Sequence, residues 1–267
     1  ITLDGKWIQE RHINVRPLQE GTVFIDSKKG VSSANHNPFM GFKRKNTDEN
    51  SGDCYGFSLI YSGNHLGLAE VNPYNFTRIQ QGINPFDFNW TLKPGDSFQT
   101  PEAVMTFSSS GLNGMSRNFH NLVNHNIVNP LWQFRDRPVL INNWEATYFD
   151  FDEKKLLKLA DEAVKLGMEL FVLDDGWFGK RDDDHSSLGD WYEDKKKLPG
   201  GLERISRKIH AMGLQFGLWV EPEMVNIESE LYKAHPDWAI KIPERKASEG
   251  RFQLLLDYAN PEVVEYM

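Results

Sequence analysis

The 267-residue sequence has one cysteine, which excludes a disulfide framework and every multi-cysteine zinc module. Long apolar runs are missing. The longest, such as Leu170–Leu173, fall far short of the roughly 20 residues a membrane-spanning helix needs. Basic residues are the minority charge: 30 Lys and Arg against 38 Asp and Glu, a formal charge of −8. No basic stripe is available to neutralise phosphates, so nucleic acid is excluded as a general partner. No Gly-x-Gly-x-x-Gly follows any strand-like run, which weighs against a dinucleotide-binding sheet. The eight histidines are scattered and none shows His-Glu-x-x-His spacing. Aromatic residues, by contrast, are abundant: 17 Phe, 8 Tyr and 8 Trp. That many large apolar side chains exclude disorder.

The length allows one large domain or two ordinary ones. Both ends read as cut. The chain begins Ile1-Thr2-Leu3-Asp4 with no initiator Met and no signal-peptide pattern, and it stops at Glu265-Tyr266-Met267 inside a helix-like stretch. The first hundred or so residues read as strands. Cys54 to Tyr61 alternates, with Tyr55, Phe57, Leu59 and Tyr61 on one face. Ser62-Gly63-Asn64 and Pro94-Gly95-Asp96 are turn signals among further runs at 66–71, 76–83, 86–92 and 103–107. The polar segment 27–50 reads as a long loop. Short strands at this spacing predict an antiparallel sandwich over residues 1–108. Residues 109–137, with a helix over Met115–Asn126, read as a connector.

From Pro138 onward strands and helices alternate. Strand runs at 138–142, 170–173, 214–220 and 252–256 are separated by helical periodicity. The clearest helix carries Leu156, Leu159, Ala160, Ala163 and Val164 on one face, opens at a capping box with Asp150 as cap, and ends at Gly167. About four strand–helix units over 138–267 predict a parallel sheet. It is either a small doubly wound sheet or the first half of an eight-stranded barrel.

In a parallel barrel ligands meet the C-terminal strand ends. Those ends read Asn142-Asn143-Trp144-Glu145, Asp174-Asp175-Gly176-Trp177, Trp219-Val220-Glu221-Pro222-Glu223 and Asp257-Tyr258, with Arg251 just before the last. This combination suits a sugar: an aromatic ring covers the apolar pyranose face, and carboxylates accept charge-assisted hydrogen bonds from paired hydroxyls. Asp174 and Asp175 point to opposite sides unless the backbone bends, and Gly176 supplies that freedom. The bland alternatives are a helix cap or a solvated loop for the pair, and packing for Trp144, Trp177 and Trp219. Glu221 and Glu223 invite a reading as paired acid and base, against which stand Pro222 between them and a capping role for Glu223. The run Asp182-Asp183-Asp184-His185 reads as a solvated acidic loop in preference to a metal site. Cys54 reads as a buried small residue, and the sequons at Asn75 and Asn89 are discounted. No cofactor or metal is called for.

At these residues the sequence resembles a known family. Gly167-Met168-Glu169-Leu170-Phe171-Val172-Leu173-Asp174-Asp175-Gly176-Trp177 resembles the signature of glycoside hydrolase clan D. Asn142 to Asp150, Leu188-Gly189-Asp190-Trp191, Pro199-Gly200-Gly201-Leu202 and Gly217 to Val225 resemble family 36 α-galactosidases of bacterial type. The resemblance covers essentially the whole chain. It implies a β-supersandwich followed by the first half of a TIM (β/α)8 barrel. It implies retaining hydrolysis of α-galactosides such as melibiose and raffinose, with Asp174 and Asp175 on the galactose 4- and 6-hydroxyls. Trp219, Trp144 and Arg251 then line the same sugar site. Glu221 and Glu223 are not the family's catalytic pair. That pair is a nucleophilic Asp in a Lys-x-Asp context and an acid/base Asp two strands later, both expected beyond residue 267. The segment is thus expected to supply recognition without catalysis. The resemblance also implies a homotetramer, and the single cysteine and −8 charge fit a cytoplasmic enzyme. Alternatives are a raffinose- or stachyose-synthase-like galactosyltransferase, an α-N-acetylgalactosaminidase, and a non-catalytic carbohydrate-binding protein.

Overall fold

A computed structural model describes residues 1–267. The chain divides into two compact units, Ile1–Arg135 and Asp136–Met267. No helix is long and apolar enough to cross a membrane.

The first unit is built from β1 (Thr2–Lys6), β2 (Gln9–Asn14), β3 (Gly21–Asp26), β4 (His36–Lys43), β5 (Cys54–Ile60), β6 (His65–Val71), β7 (Thr77–Ile83) and β8 (Glu102–Ser108). They form a five-stranded sheet in the order β2-β1-β4-β5-β8 and a three-stranded sheet in the order β3-β6-β7, with every neighbour antiparallel. Ile25 and Ala69 of the small sheet and Met40 and Leu59 of the large one are all buried. Gly67 lets the two layers approach, since a Cβ there would stand 3.0 Å from Met40 Cε. This is the expected antiparallel sandwich.

Two local expectations fail here. The segment 27–50 is not one long loop, because β4 lies at the centre of the large sheet. Met40 and Gly41 are buried in succession. A strand covered on both faces shows no alternation, so the signal that marks half-exposed strands is missing. Residues 86–92 form no strand. Phe88 and Trp90 pack on Phe98 of their own loop, with ring centroids 6.1 and 4.8 Å away. On β5, Tyr55 and Leu59 share a face, but Leu59 is buried and Tyr55 exposed. The opposite face is covered by α1 (Gly111–Leu122), whose Phe119 and Met115 crowd Gly56. Cys54 is fully buried and its thiol points at the Gly111 carbonyl oxygen, 3.3 Å away.

The second unit runs β9 (Leu140–Asn142), α2 (Trp144–Thr147), α3 (Glu153–Lys165), β10 (Leu170–Leu173), α4 (Gly201–Ala211), β11 (Gln215–Leu218), β12 (Met224–Asn226), α5 (Glu230–Ala234), β13 (Gln253–Leu255) and α6 (Pro261–Tyr266). β9, β10 and β11 form a parallel sheet in sequential order. Each new strand is added on the same side, consistent with the wall of a β/α barrel. Leu156, Ala160 and Ala163 of α3 and Ile205 and Ile209 of α4 bury in one core with Phe171 and Leu173 of β10. The cap of α3 is Asp152, which accepts the Lys155 N–H at 2.7 Å, and not Asp150, which pairs instead with the Lys155 ammonium.

The expected fourth parallel strand is also corrected. β13 pairs antiparallel with β12, outside the parallel sheet. A parallel return needs a crossover of a dozen or more residues that packs back on the sheet. The five-residue α5 instead packs through Leu231 into a separate small core with Val225, Trp238, Leu254 and Val263.

Candidate functional site

The strand register brings Asn142, Leu173 and Leu218 to the same end of the parallel sheet, because Asn142 is level with Val172 and Leu173 with Leu218. Residues that follow these positions, Trp144, Asp174, Asp175, Trp219, Val220, Glu221 and Glu223, line one cavity of about 360 Å³ together with Arg251 from the turn before β13. That volume falls in the usual range for small-molecule clefts, about 300–1,000 Å³. All five residues that the family resemblance places on the sugar are among them. A larger cavity, about 550 Å³, lies in the sandwich unit behind Val23, Met40 and Phe42. It has no carboxylate, and cavities of about 570 and 520 Å³ that do hold aspartates have no tryptophan, so chemistry and not size marks the strand-end pocket.

The two aspartates are held in different ways. Asp174 Oδ1 accepts the N–H of Asp175 at 2.7 Å, and Asp174 Oδ2 accepts from the Asn142 amide. The backbone N–H of Asp174 donates to Asn143 Oδ1 at 2.8 Å. The end of the neighbouring strand β9 thus fixes Asp174 through two asparagine side chains. Asp175 is buried against Arg181, itself fully buried. Arg181 Nε lies 2.9 Å from Asp175 Oδ1, and Nη2 lies 2.8 Å from Oδ2. This fork fixes the plane of the carboxylate as well as its place. The bend that aims both carboxylates at one cavity is completed by Gly176 at φ 98°, where a Cβ would stand 3.2 Å from both Phe149 and Phe151. Lys197 closes the loop from outside, donating to the carbonyls of Gly176 and Arg181 at 2.9 and 2.8 Å.

The tryptophans divide. Trp144 is half-buried, its ring edge-on to Tyr148 and Phe149. Trp219 is half-buried and nearly parallel to Phe178. Both reach the cavity. Trp177 does not: it is buried in the core and donates its indole N–H to the Trp219 carbonyl at 2.9 Å. Arg251 is exposed and stands 3.8 Å from Glu221 Oε1. Glu221 Oε2 is buried without a hydrogen-bond partner. Burial pushes the Glu221 carboxyl above the usual carboxylate range, opposed by Arg251 and reinforced by Glu223 and Asp175. The acidic run 182–184 disperses: Asp182 pairs with Lys197 and Asp184 with His185. No group of three or more His, Cys, Asp or Glu is arranged to hold a metal ion.

Arg181, Asn142 and Asn143 were not singled out from the sequence. Their only advance signal is that two adjacent carboxylates at a buried strand end need donors. Other residues of the quoted sequence motifs have structural roles. Asp190 is buried and accepts the N–H groups of Glu230 and Leu231 at the start of α5. Glu193 accepts the Leu202 N–H at the start of α4, where Gly201 leaves room for it.

Comparison with known proteins agrees with this fold. The model of the glycosyl hydrolase family 36 N-terminal domain matches residues 1–93, and the melibiase model matches residues 97–267. Alpha-galactosidase AgaA of Geobacillus stearothermophilus is 53% identical over 267 residues, all of this chain and 37% of that protein. The crystal structure of the family 36 alpha-galactosidase AgaB from the same organism superposes with a TM-score of 0.97 at 54% identity, covering 99% of this chain and 37% of that one. A doubly substituted AgaA solved in complex with raffinose gives 0.97 at 53% identity, with the same coverage. The chain therefore spans little more than a third of the length of these relatives. With the two models falling on consecutive stretches, the chain belongs to the melibiases of glycosyl hydrolase family 36.

Proposed function

We propose that the full-length protein is a retaining α-galactosidase and that this chain carries its galactose-recognition wall. The observation that supports it most is the pocket in which Asp174 and Asp175, each held by its own donors, face Trp144, Trp219 and Arg251. A pyranose stacks its C–H face on an indole while adjacent hydroxyls donate to a carboxylate pair. In galactose the axial 4-hydroxyl lies beside the 6-hydroxyl, so two neighbouring carboxylates bridge both. Preformed acceptors make that contact without reorganisation. The relatives' complexes with raffinose and stachyose are consistent with galactosides as substrates.

Bond cleavage with retention proceeds by double displacement through a covalent galactosyl-enzyme. In this reading the attacking and proton-donating carboxylates come from strands that follow the three parallel strands, which form the first part of a (β/α)8 barrel. The assembly is proposed as a cytoplasmic homotetramer. The test is turnover of 4-nitrophenyl α-galactoside by the full-length protein. Hydrolysis with retained anomeric configuration is expected. Preference for the α-N-acetylgalactosaminide, transfer to a second sugar in place of hydrolysis, or binding with no turnover would each replace this reading.

A further inference from the structure

We propose that Asn226 is a positioning residue that locks Asp175 and Arg251 into one arrangement, so that two sides of the sugar pocket are set by a single buried amide. The inference rests on the galactose reading for its kinetic consequence, but its structural content stands apart from it.

Asn226 is fully buried at the end of β12. Its Oδ1 accepts from Arg181 Nη1 at 2.8 Å and from the Leu188 N–H at 2.9 Å. Its Nδ2 donates to the carbonyls of Phe252 at 2.9 Å and Asp184 at 3.2 Å. Two acceptor positions and two donors are the full capacity of the group. On one side, then, Asn226 steadies the guanidinium that grips Asp175. On the other it pins the turn that carries Arg251.

That turn needs pinning. Arg251 and Phe252 sit at φ 53° and 63°, two successive left-handed residues that are not glycine, a conformation that persists only where the surroundings impose it. The turn is closed by a pair of backbone hydrogen bonds between Gly250 and Gln253, at 3.1 and 3.0 Å. A second, independent link joins the same two segments: His185, four residues beyond Arg181, stacks on the Phe252 ring with centroids 3.7 Å apart. The chain from Asp175 to Arg251 therefore runs carboxylate, guanidinium, amide, strained turn, with each step in contact.

No other side chain of this size can replace the amide. Aspartate would set acceptors against the Asp184 and Phe252 carbonyl oxygens, and leucine would leave all four partners unmet.

The experiment uses the full-length protein with Arg181→Lys and Asn226→Asp, each alone and combined with Arg251→Ala. Arg181→Lys keeps the charge, loses the fork and lies outside the 250–253 turn. It is expected to speed hydrogen exchange of the Gly250 and Gln253 amides about tenfold, the consequence of losing one hydrogen bond to a charged group. Unchanged exchange there overturns the proposal, whatever the protein's substrate. In kinetics, Asn226→Asp is expected to raise KM for 4-nitrophenyl α-galactoside about tenfold, with a smaller effect on kcat, and to raise it by less than that in the Arg251→Ala background, where only the Asp175 arm remains. Additive effects, or a lowered unfolding temperature with KM unchanged, would also overturn it. Wild-type turnover alone decides the galactoside reading, so the two can fail separately.

Discussion

Replacing Arg181 with Met puts the buried carboxylate at the centre of the pocket to the test. Asp175 is 4% exposed, and both of its oxygens are satisfied by Arg181. Met has a similar length and no charge, so Arg181→Met leaves a carboxylate in the interior with no counterion. Removing one partner of a buried ion pair costs about 3–5 kcal/mol. The lost bonds to the Ser186 carbonyl and Asn226 Oδ1, both at 2.8 Å, act in the same direction. Asp175→Asn alone is also destabilising, because it strands the guanidinium. The double variant Arg181→Met/Asp175→Asn should then be more stable than the two single costs added together, by about 2 kcal/mol of coupling. The assay is urea unfolding followed by tryptophan fluorescence on the four proteins of the cycle. A loss below about 1 kcal/mol, the worth of a solvent-screened surface pair, or strict additivity would refute the claim that Asp175 depends on Arg181.

Further expectations follow from the same geometry. Burial raises the folded-state pKa of Glu221 above its unfolded value, so its protonated form stabilises the fold at low pH and that stability is lost as pH rises through the folded pKa. Glu221→Gln should therefore come closest to the wild type near pH 4 and gain on it as the pH rises towards 7, as read from urea midpoints. An advantage that shrinks with rising pH contradicts it. His65 has the opposite sense: burial lowers its folded pKa below the ordinary 6.5, so stability is intact above pH 6.5 and falls as pH drops below it. Thermal midpoints of wild type and His65→Gln, whose side chain does not titrate, should keep a constant difference above that pH and shift relative to each other below it, where only the wild type loses stability; a difference that stays constant at all pH values refutes this. Gly176→Ala places a side chain at φ 98°, 3.2 Å from two phenylalanine rings. It should cost about 1–2 kcal/mol and weaken sugar binding; a neutral effect on both would show that the bend at Asp174–Gly176 is not constrained.

Sequence patterning carried further in some places than in others. Leu156, Ala160 and Ala163 are spaced for one helix face, and that face is buried. The pocket residues were legible because their chemical types sit just past recognisable strand runs, and the parallel register brings those positions together. β4 was not legible, since burial on both faces removes alternation. The departure of β13 from the parallel sheet was hidden because Gln253-Leu254-Leu255 fits a buried strand in either sheet, and only its pairing with Met224–Asn226 distinguishes them. Arg181 stands beside an acidic run and reads as one more solvated charge. Its burial follows from partners 6 and 45 residues away, a distance over which local patterning carries no information.

The central claim is that Asp174 and Asp175 read the galactose 4-hydroxyl. It is tested most directly by measuring kcat/KM of the full-length protein for 4-nitrophenyl α-galactoside and its 4-epimer, the α-glucoside, in the wild type and in Asp174→Asn. A site built to accept hydrogen bonds from a hydroxyl discriminates strongly against a ligand that misplaces it. The wild type should favour the galactoside by at least about a hundredfold, and Asp174→Asn should reduce that ratio to about tenfold or less. Equal use of the two epimers by the wild type, or a ratio unchanged in Asp174→Asn, would contradict the account.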